Sequence, residues 1–158
     1  MSNSFFTLFT KPWFWSSFLG WTIAQTIKLV TELIRTRRID FSYYVSTGGM
    51  PSAHSAMVSG LATAIGLTEG FDSAVFMLAL AFATITMFDA AGVRNAAGQQ
   101  AKLLNQIVEE FFTDQHLNFP KMKELLGHTR LEVFAGLVTG VVVALAVVSI
   151  GWPGMLAR

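Results

Sequence analysis

Long blocks of apolar residues, separated by short polar stretches, dominate the chain. Because about 20 consecutive apolar residues cross a bilayer, the blocks predict four membrane-spanning helices over 13–35, 51–67, 73–91 and 132–152. Between the last two blocks, apolar residues repeat at helical spacing over 95–112, which predicts an amphipathic helix lying in the membrane interface. We therefore expect an all-α polytopic membrane helix bundle, a single integral-membrane domain over 1–158.

The composition agrees with this fold class. Hydrophobic residues make up 53% of the chain and charged residues 13%, against about 25% charged residues in soluble domains. The net charge of +1 gives no reason to expect a nucleic-acid partner. Since the sequence has no cysteine, disulfides and thiolate metal sites are excluded.

A glycine-bearing loop runs through Pro51 into the second predicted span. Proline is favoured at the first helical position, so we expect Pro51 to open the helix and the N–H groups of Ser52, Ala53 and His54 to point out of its positive end. Such an end binds phosphate. Gly49 lets the backbone approach a ligand closely, and Ser52 adds a hydroxyl. The plainer alternative is a turn that caps a membrane helix, with His54 incidental.

Charged residues stand in the second half of the first predicted span. Lys28 and Arg35 are seven residues apart and so return to nearly the same helix face, with Glu32 one turn from Lys28. Buried charge that faces a bundle interior indicates a functional site. The alternative is a Lys28–Glu32 pair with cations that reach towards the interface.

Four alternating spans bring the unusual polar residues to one membrane face. These residues are the Lys28 region, the 89–94 segment, the 128–132 segment, and the phosphate cradle, by which we mean the N–H groups of Ser52, Ala53 and His54. Counting of cations places this face in the cytoplasm of a cell whose inner membrane holds the chain. The cations on that face are Arg35, Arg37, Arg38, Arg94, Lys102, Lys121, Lys123 and Arg130, against Lys11 and Arg158 on the other.

Two histidines, a helix N-terminus and several cations are the parts of a phosphoryl-transfer site. Cations hold the non-bridging oxygens, one imidazole attacks phosphorus and the other protonates the leaving oxygen. His128 and Glu132 are four residues apart, so the carboxylate can reach and orient the imidazole. This chemistry needs no metal and no other cofactor. Taken alone, the His128–Glu132 spacing also fits an ordinary helical ion pair.

Three segments resemble the motifs of the type 2 phosphatidic-acid phosphatase superfamily, which includes the vanadium-dependent haloperoxidases. Those motifs read Lys-x6-Arg-Pro, Pro-Ser-Gly-His and Ser-Arg-x5-His-x3-Asp. The matching segments here are Lys28-x6-Arg35, Pro51-Ser52-Ala53-His54 and Gly127-His128-Thr129-Arg130-Leu131-Glu132. The resemblance covers roughly residues 25–150 and is strongest to the divergent bacterial and plant branch.

The resemblance implies that His128 is the nucleophile that forms a phosphohistidine, that Glu132 orients it and that His54 is the general acid. It also implies that Lys28, Arg35 and Ser52 bind phosphate. This chain departs from the motifs in having Thr36 for proline, Ala53 for glycine and Glu132 for aspartate, and none of these removes a needed chemical group.

The arginine of the third motif would fall at position 122, where this chain has Met122 instead. We assign its role to Arg94 at the end of the third span, with Asp89 as a partner of Arg94 or of another site cation. The 95–112 helix then becomes an insertion between the two halves of the motif.

The predicted function is a metal-independent membrane lipid phosphate phosphatase acting on a phosphomonoester or pyrophosphate of a lipid, whose tail enters between helices. Its expected partners are the lipid phosphate and membrane lipids. One rival is a non-enzymatic lipid-phosphate carrier or flippase with the same anion site. The small-residue spacing of Gly136 and Gly140 suits either an internal contact or a homo-oligomer. A second rival is a metal site formed by His54, Asp89, His116 and His128.

Overall fold

The computed structural model describes residues 4–37, 49–112 and 127–151, and within those ranges the chain is helical with no strand. A short helix α1 and a 3₁₀ turn precede four long helices and a fifth that follows a π turn. The elements are α1 (Ser4–Thr7), the 3₁₀ turn (Leu8–Thr10), α2 (Pro12–Thr36), α3 (Ala53–Glu69), α4 (Ala74–Phe88), the π turn (Asp89–Val93), α5 (Arg94–Phe112) and α6 (Arg130–Ile150). The sequence also predicts a short polar helix over 121–126, and this segment lies outside the described residues.

Helix α3 is the centre of the bundle, since α2, α4 and α6 all pack against it. It runs antiparallel to α2, because the indole of Trp13 near the start of α2 donates to Thr68 near the end of α3, at 2.9 Å. It runs parallel to α6, and the Ser59 hydroxyl donates to the Leu137 carbonyl at 3.2 Å. The end of α2 and the starts of α3 and α6 therefore meet at one end of the bundle, as the topology predicted.

Small residues let the backbones of α2 and α3 touch. A Cβ added at Gly20 would lie 2.8 Å from the Ala56 carbonyl oxygen, and one at Gly60 would lie 2.7 Å from the Ser16 carbonyl oxygen. Such distances leave no room for a larger side chain, since close-packed interiors hold few voids. These contacts set the position of α2 along α3, and with it the position of Lys28 near the end of the bundle.

The predicted small-residue spacing on the last helix belongs to an internal contact. A Cβ at Gly136 would overlap the Ser52 carbonyl, and one at Gly140 would overlap Ser59 and the Ala56 carbonyl. The face of α6 that carries both glycines is thus occupied by α3. A homo-oligomer, if it forms, needs another surface.

The third span and the amphipathic helix are joined, whereas the sequence predicted two separate helices. Helix α4 passes through the π turn into α5, and the described helix is continuous from Ala74 to Glu109. The reason is local: the connecting segment contains Gly92 but no proline, and glycine alone does not end a helix when the backbone keeps its hydrogen bonds. The placement of 95–112 in the interface stays a prediction.

Two of the described helices are long and apolar enough to cross a membrane. They are Ala74–Glu109, with a mean hydropathy of 1.9, and Arg130–Ile150, with 2.6. Helix α2 carries Lys28, Glu32 and Arg35, and α3 has only 17 residues rich in Ala, Gly, Ser and Thr. The prediction of four spans therefore stays a prediction for these two helices.

Candidate active site

The two histidines of the predicted site face each other at the end of the bundle. His54 lies in the first turn of α3, and His128 lies just before the start of α6. Their ring centroids are 6.5 Å apart and the rings are inclined by 61°. Two imidazoles at this separation can contact one tetrahedral group from different sides. The sequence placed these residues on separate motifs 74 positions apart, and the fold brings them together.

Glu132 holds the His128 ring in place. Its Oε2 lies 3.1 Å from His128 Nδ1 and also accepts the Thr129 backbone N–H at 3.0 Å. In return the Thr129 hydroxyl accepts the Glu132 backbone N–H at 3.3 Å, which completes a capping box at the start of α6. The predicted contact between His128 and Glu132 is therefore confirmed. A proton on Nδ1 shared with the carboxylate leaves the Nε2 lone pair for the site.

The backbone of His128 is anchored by the π turn. In an α-helix the Arg94 N–H would donate to the carbonyl of Ala90, four residues earlier, but here it donates to Asp89, five residues earlier. The Ala90 carbonyl is thereby released and accepts the His128 N–H at 3.1 Å. Asn95 adds a side-chain hydrogen bond to the His128 carbonyl at 3.4 Å. The π turn thus positions the proposed nucleophile.

Gly127 allows this docking. A Cβ at this position would overlap the backbone of Arg94 and Asn95, so the chain can approach the π turn only with glycine before His128. The π turn could not be predicted from the sequence. The Thr-x-x-Glu pattern at 129–132 was the one visible signal for the capping box.

His128 is buried, with 5% of its surface exposed. Burial lowers the pKa of His128 below its usual value, because the charged imidazolium loses water, and the charges of Lys28 and Arg94 lower it further. The hydrogen-bonded carboxylate of Glu132 acts in the opposite direction. The balance favours a neutral ring, which is the form that can attack phosphorus.

The start of α3 differs from the prediction. Pro51 does not open the helix, which begins at Ala53 with Ser52 as its N-cap. The reason is the Ser52 hydroxyl, which accepts the N–H of Ser55 at 3.4 Å, as capping residues do. The Ser52 N–H is also not free, since it donates to the Glu132 carbonyl at 2.9 Å.

Two N–H groups of the predicted cradle keep their expected place. Those of Ala53 and His54 belong to the first turn of α3, where a helix provides no acceptor. The Ser52 hydroxyl is fully buried and also accepts the Ser55 hydroxyl at 3.0 Å. Its role as a phosphate ligand stays a prediction.

Lys28 is a buried cation at the site. Only 5% of its surface is exposed, and its charge acts on His54, His128 and Glu132. Gly49 lies against its stem: the glycine has φ +83°, and a Cβ there would be 3.3 Å from Lys28 Cγ. The close approach predicted for Gly49 is thus to this lysine side chain.

Arg35 and Arg94 are placed differently. Arg35 forms a salt bridge with Glu32 at 3.1 Å. The side chain of Arg35 is 74% exposed. Arg94 pairs with Asp89 through a 2.6 Å contact, as predicted, and its charge acts on both histidines. Phosphate binding by Arg35 and by Arg94 stays a prediction.

A metal site finds no support in the part of the chain that the structure describes. No group of three or more metal-ligating side chains lies together there, and Asp89 is engaged by Arg94. The fourth residue of that rival site, His116, lies outside the described residues.

Comparisons with known proteins complete the description. A family model described as "Divergent PAP2 family" matches residues 9–143. An uncharacterized membrane protein of Bacillus subtilis (strain 168), YuiD, is 45% identical over 141 residues, which are 82% of this chain and 89% of that protein. No solved structure shows significant similarity to the chain.

Proposed function

The chain belongs to the divergent PAP2 family, and from its histidine pair we propose that it is a membrane lipid phosphate phosphatase acting through a phosphohistidine. The observation that carries the proposal is the geometry of His128. Its ring is buried, bonded to Glu132 through Nδ1 and turned towards His54, with ring centroids 6.5 Å apart. The substrate is a phosphomonoester or pyrophosphate of a lipid, since a relative is named as a membrane protein and two helices here can span a bilayer.

In the first step Nε2 of neutral His128 attacks phosphorus, and the bond from phosphorus to the leaving oxygen breaks. Protonated His54 gives its proton to that oxygen, so the lipid alcohol or the shorter phosphate leaves neutralised. Glu132 stabilises the positive charge that develops on the imidazole. The cations Lys28 and Arg94 and the N–H groups at the start of α3 balance the charge on the phosphoryl oxygens.

In the second step water attacks the phosphohistidine. Neutral His54 takes the proton of that water, the bond from phosphorus to nitrogen breaks, and inorganic phosphate leaves. His128 returns to its neutral form and His54 is again protonated. The side chains named here account for each proton and each electron pair. We place the site at the cytoplasmic face of a cell's inner membrane, where the counted cations lie.

Phosphate release from a panel of lipid phosphates by the purified chain in detergent tests this proposal. We expect release that survives EDTA, an acid-labile phosphoenzyme in the wild type, and loss of both in His128→Ala. His116→Ala is the matched histidine control and should release phosphate at the wild-type rate.

Two results would contradict the proposal. Loss of activity with EDTA and in His116→Ala would favour the metal site. Binding of lipid phosphates without release under any metal condition would favour the carrier.

A further inference from the structure

An open groove lies beside the histidine pair, between the end of α4 and the start of α6. Its volume of about 440 Å³ falls within the range of about 300–1,000 Å³ that is usual for small-molecule sites. Arg130 is the only charged residue among the described residues that line it. The groove is lined by Met87, Phe88, Ala91, Gly92, Arg130 and Val133.

The groove and the site share the same two backbone segments. On the π turn, the Ala90 carbonyl holds His128, while the next two residues line the groove. On the other side His128 and Glu132 belong to the site, while Arg130 and Val133 line the groove. A molecule whose phosphate lies between the histidines can therefore continue into the groove past Arg130.

The groove lies in a cleft between α4 and α6. Helices α4 and α6 both pack on α3 but do not pack along each other, so a cleft remains between them. They are also the two described helices apolar enough to cross a membrane. Large apolar side chains near the cleft are exposed, namely Ile85 at 69%, Phe88 at 75% and Phe134 at 61%. In a bilayer these surfaces contact hydrocarbon.

Gly92 keeps the groove open. Glycine within a helix is destabilising relative to alanine, so a structural reason for Gly92 is expected. Packing within the described protein gives none, because a Cβ at Gly92 would meet nothing within 4 Å. Gly92 is exposed and lines the groove, so a larger side chain there projects from the groove wall.

We propose that this groove holds the hydrocarbon chain of the lipid phosphate, with Arg130 at its polar end and the π turn and Val133 as its apolar walls. The inference rests on the proposed function for the position of the headgroup. The chemistry of the two neighbouring regions matches an amphiphile: histidines and cations form the site, and the groove combines Arg130 with apolar side chains. Gly92 is accordingly a residue that determines specificity for chain length.

The kinetic test compares Gly92→Leu with Ala81→Leu, which adds one carbon fewer and introduces the same side chain at an exposed position of α4 outside the groove. The substrates are dioleoyl phosphatidic acid and the soluble phenyl phosphate. Because Gly92 belongs to the π turn that anchors His128, the readout is the ratio of the two substrates. We expect Gly92→Leu to lower kcat/KM for the long-chain lipid by about tenfold or more relative to phenyl phosphate, through lost apolar contact. Ala81→Leu should change neither. An equal loss for both substrates, or no loss for either, would overturn the inference.

Binding separates this inference from the proposed function. In a His128→Ala background, Gly92→Leu should weaken binding of dioleoyl phosphatidic acid more than it weakens binding of inorganic phosphate. If the wild type hydrolyses nothing but this pattern holds, the phosphatase proposal fails and the groove stands. If Gly92→Leu leaves lipid binding unchanged, the groove inference fails whatever the activity of the wild type.

Discussion

The two helix starts that carry the histidines are built alike and hold their imidazoles differently. Each begins with a capping hydroxyl, Ser52 for α3 and Thr129 for α6. His128 is buried, its ring is bonded to Glu132 and its backbone is tied to the π turn. His54 is exposed, and its ring makes no hydrogen bond to any residue that the structure describes.

This difference separates the two roles in phosphoryl transfer. A nucleophile has to keep one lone pair aimed at phosphorus, and a buried ring fixed through Nδ1 does so. A general acid and base has to exchange protons with leaving group and water, which an exposed ring can do. The comparison therefore supports the proposed roles, with the nucleophile at the start of α6 and proton transfer at the start of α3.

The largest expected effect comes from removing each ring in turn. His128→Ala should abolish turnover of every phosphate ester, because no phosphoenzyme can form. His54→Ala should lower turnover of an alkyl phosphate by about 10²–10⁴-fold, the usual contribution of a general acid. With p-nitrophenyl phosphate, whose leaving group needs no proton, His54→Ala should still show a burst of one equivalent of nitrophenol, measured by stopped flow.

The assignment would be reversed if His128→Ala gave the burst and His54→Ala did not. Elution as a single species in size-exclusion chromatography and unchanged helical content are the controls for folding. Both variants replace a ring at a helix start, so the comparison is matched in size and location.

Much of this site could be predicted from the sequence, because its groups stand on helix starts and ends that any four-helix up-and-down arrangement brings together. The spacing of His128 and Glu132 and the Asp89–Arg94 pair were predicted, and both contacts are present. The anchor of His128 could not be predicted. It depends on one carbonyl released by a π turn, and hydrogen-bond register within a helix leaves no mark in the pattern of apolar residues.

The burial of each side chain could not be predicted from the sequence either. Lys28 and Arg35 share a helix face, yet one is 5% exposed and the other has 74% of its side chain exposed. The difference follows from where α3 contacts α2 through Gly20 and Gly60, well away from the end of α2. Helical periodicity gives the face of a residue but not the height at which a neighbouring helix ends.

Glu132→Gln should lower turnover by up to about 10⁴-fold, since the imidazolium that forms loses its stabilising charge. It should also move the acidic limb of the pH profile. The neutral ring is the reactive form, so activity falls as pH drops through the pKa of His128, which lies below its usual 6.5. Without the carboxylate, burial, Lys28 and Arg94 act unopposed and lower that pKa further.

The profile of kcat/KM against pH, measured for the wild type and Glu132→Gln on one substrate, tests whether Glu132 raises the pKa of His128. Ionisation of the substrate is common to both profiles and cancels in their difference. A shift of the acidic limb to higher pH in Glu132→Gln would show that Glu132 does not act on the nucleophile as the structure indicates.

A smaller effect is expected from straightening the π turn. Deletion of Ala91 lets Arg94 donate four residues back to Asp89 and gives the Ala90 carbonyl to Asn95. His128 then loses the hydrogen bond that anchors its backbone. Turnover should fall by about tenfold, which corresponds to the free energy of one hydrogen bond. Deletion of Ala97 in α5 is the control, since it removes one residue beyond the turn. Equal activity in both deletions would show that the π turn does not position His128.

The smallest effect separates the two caps. Ser52→Ala and Thr129→Ala each remove a capping hydroxyl and should each lower the free energy of unfolding by about 1 kcal/mol, measured by thermal melting in detergent. Only Thr129→Ala disturbs the box that holds Glu132 against His128, so only this variant should also lose turnover, by severalfold. If its buried hydroxyl serves Ser55 alone, Ser52→Ala keeps both kcat and KM. A raised KM in Ser52→Ala would instead assign Ser52 to the phosphate, as the motif resemblance implied, and would make the start of α3 a second binding element.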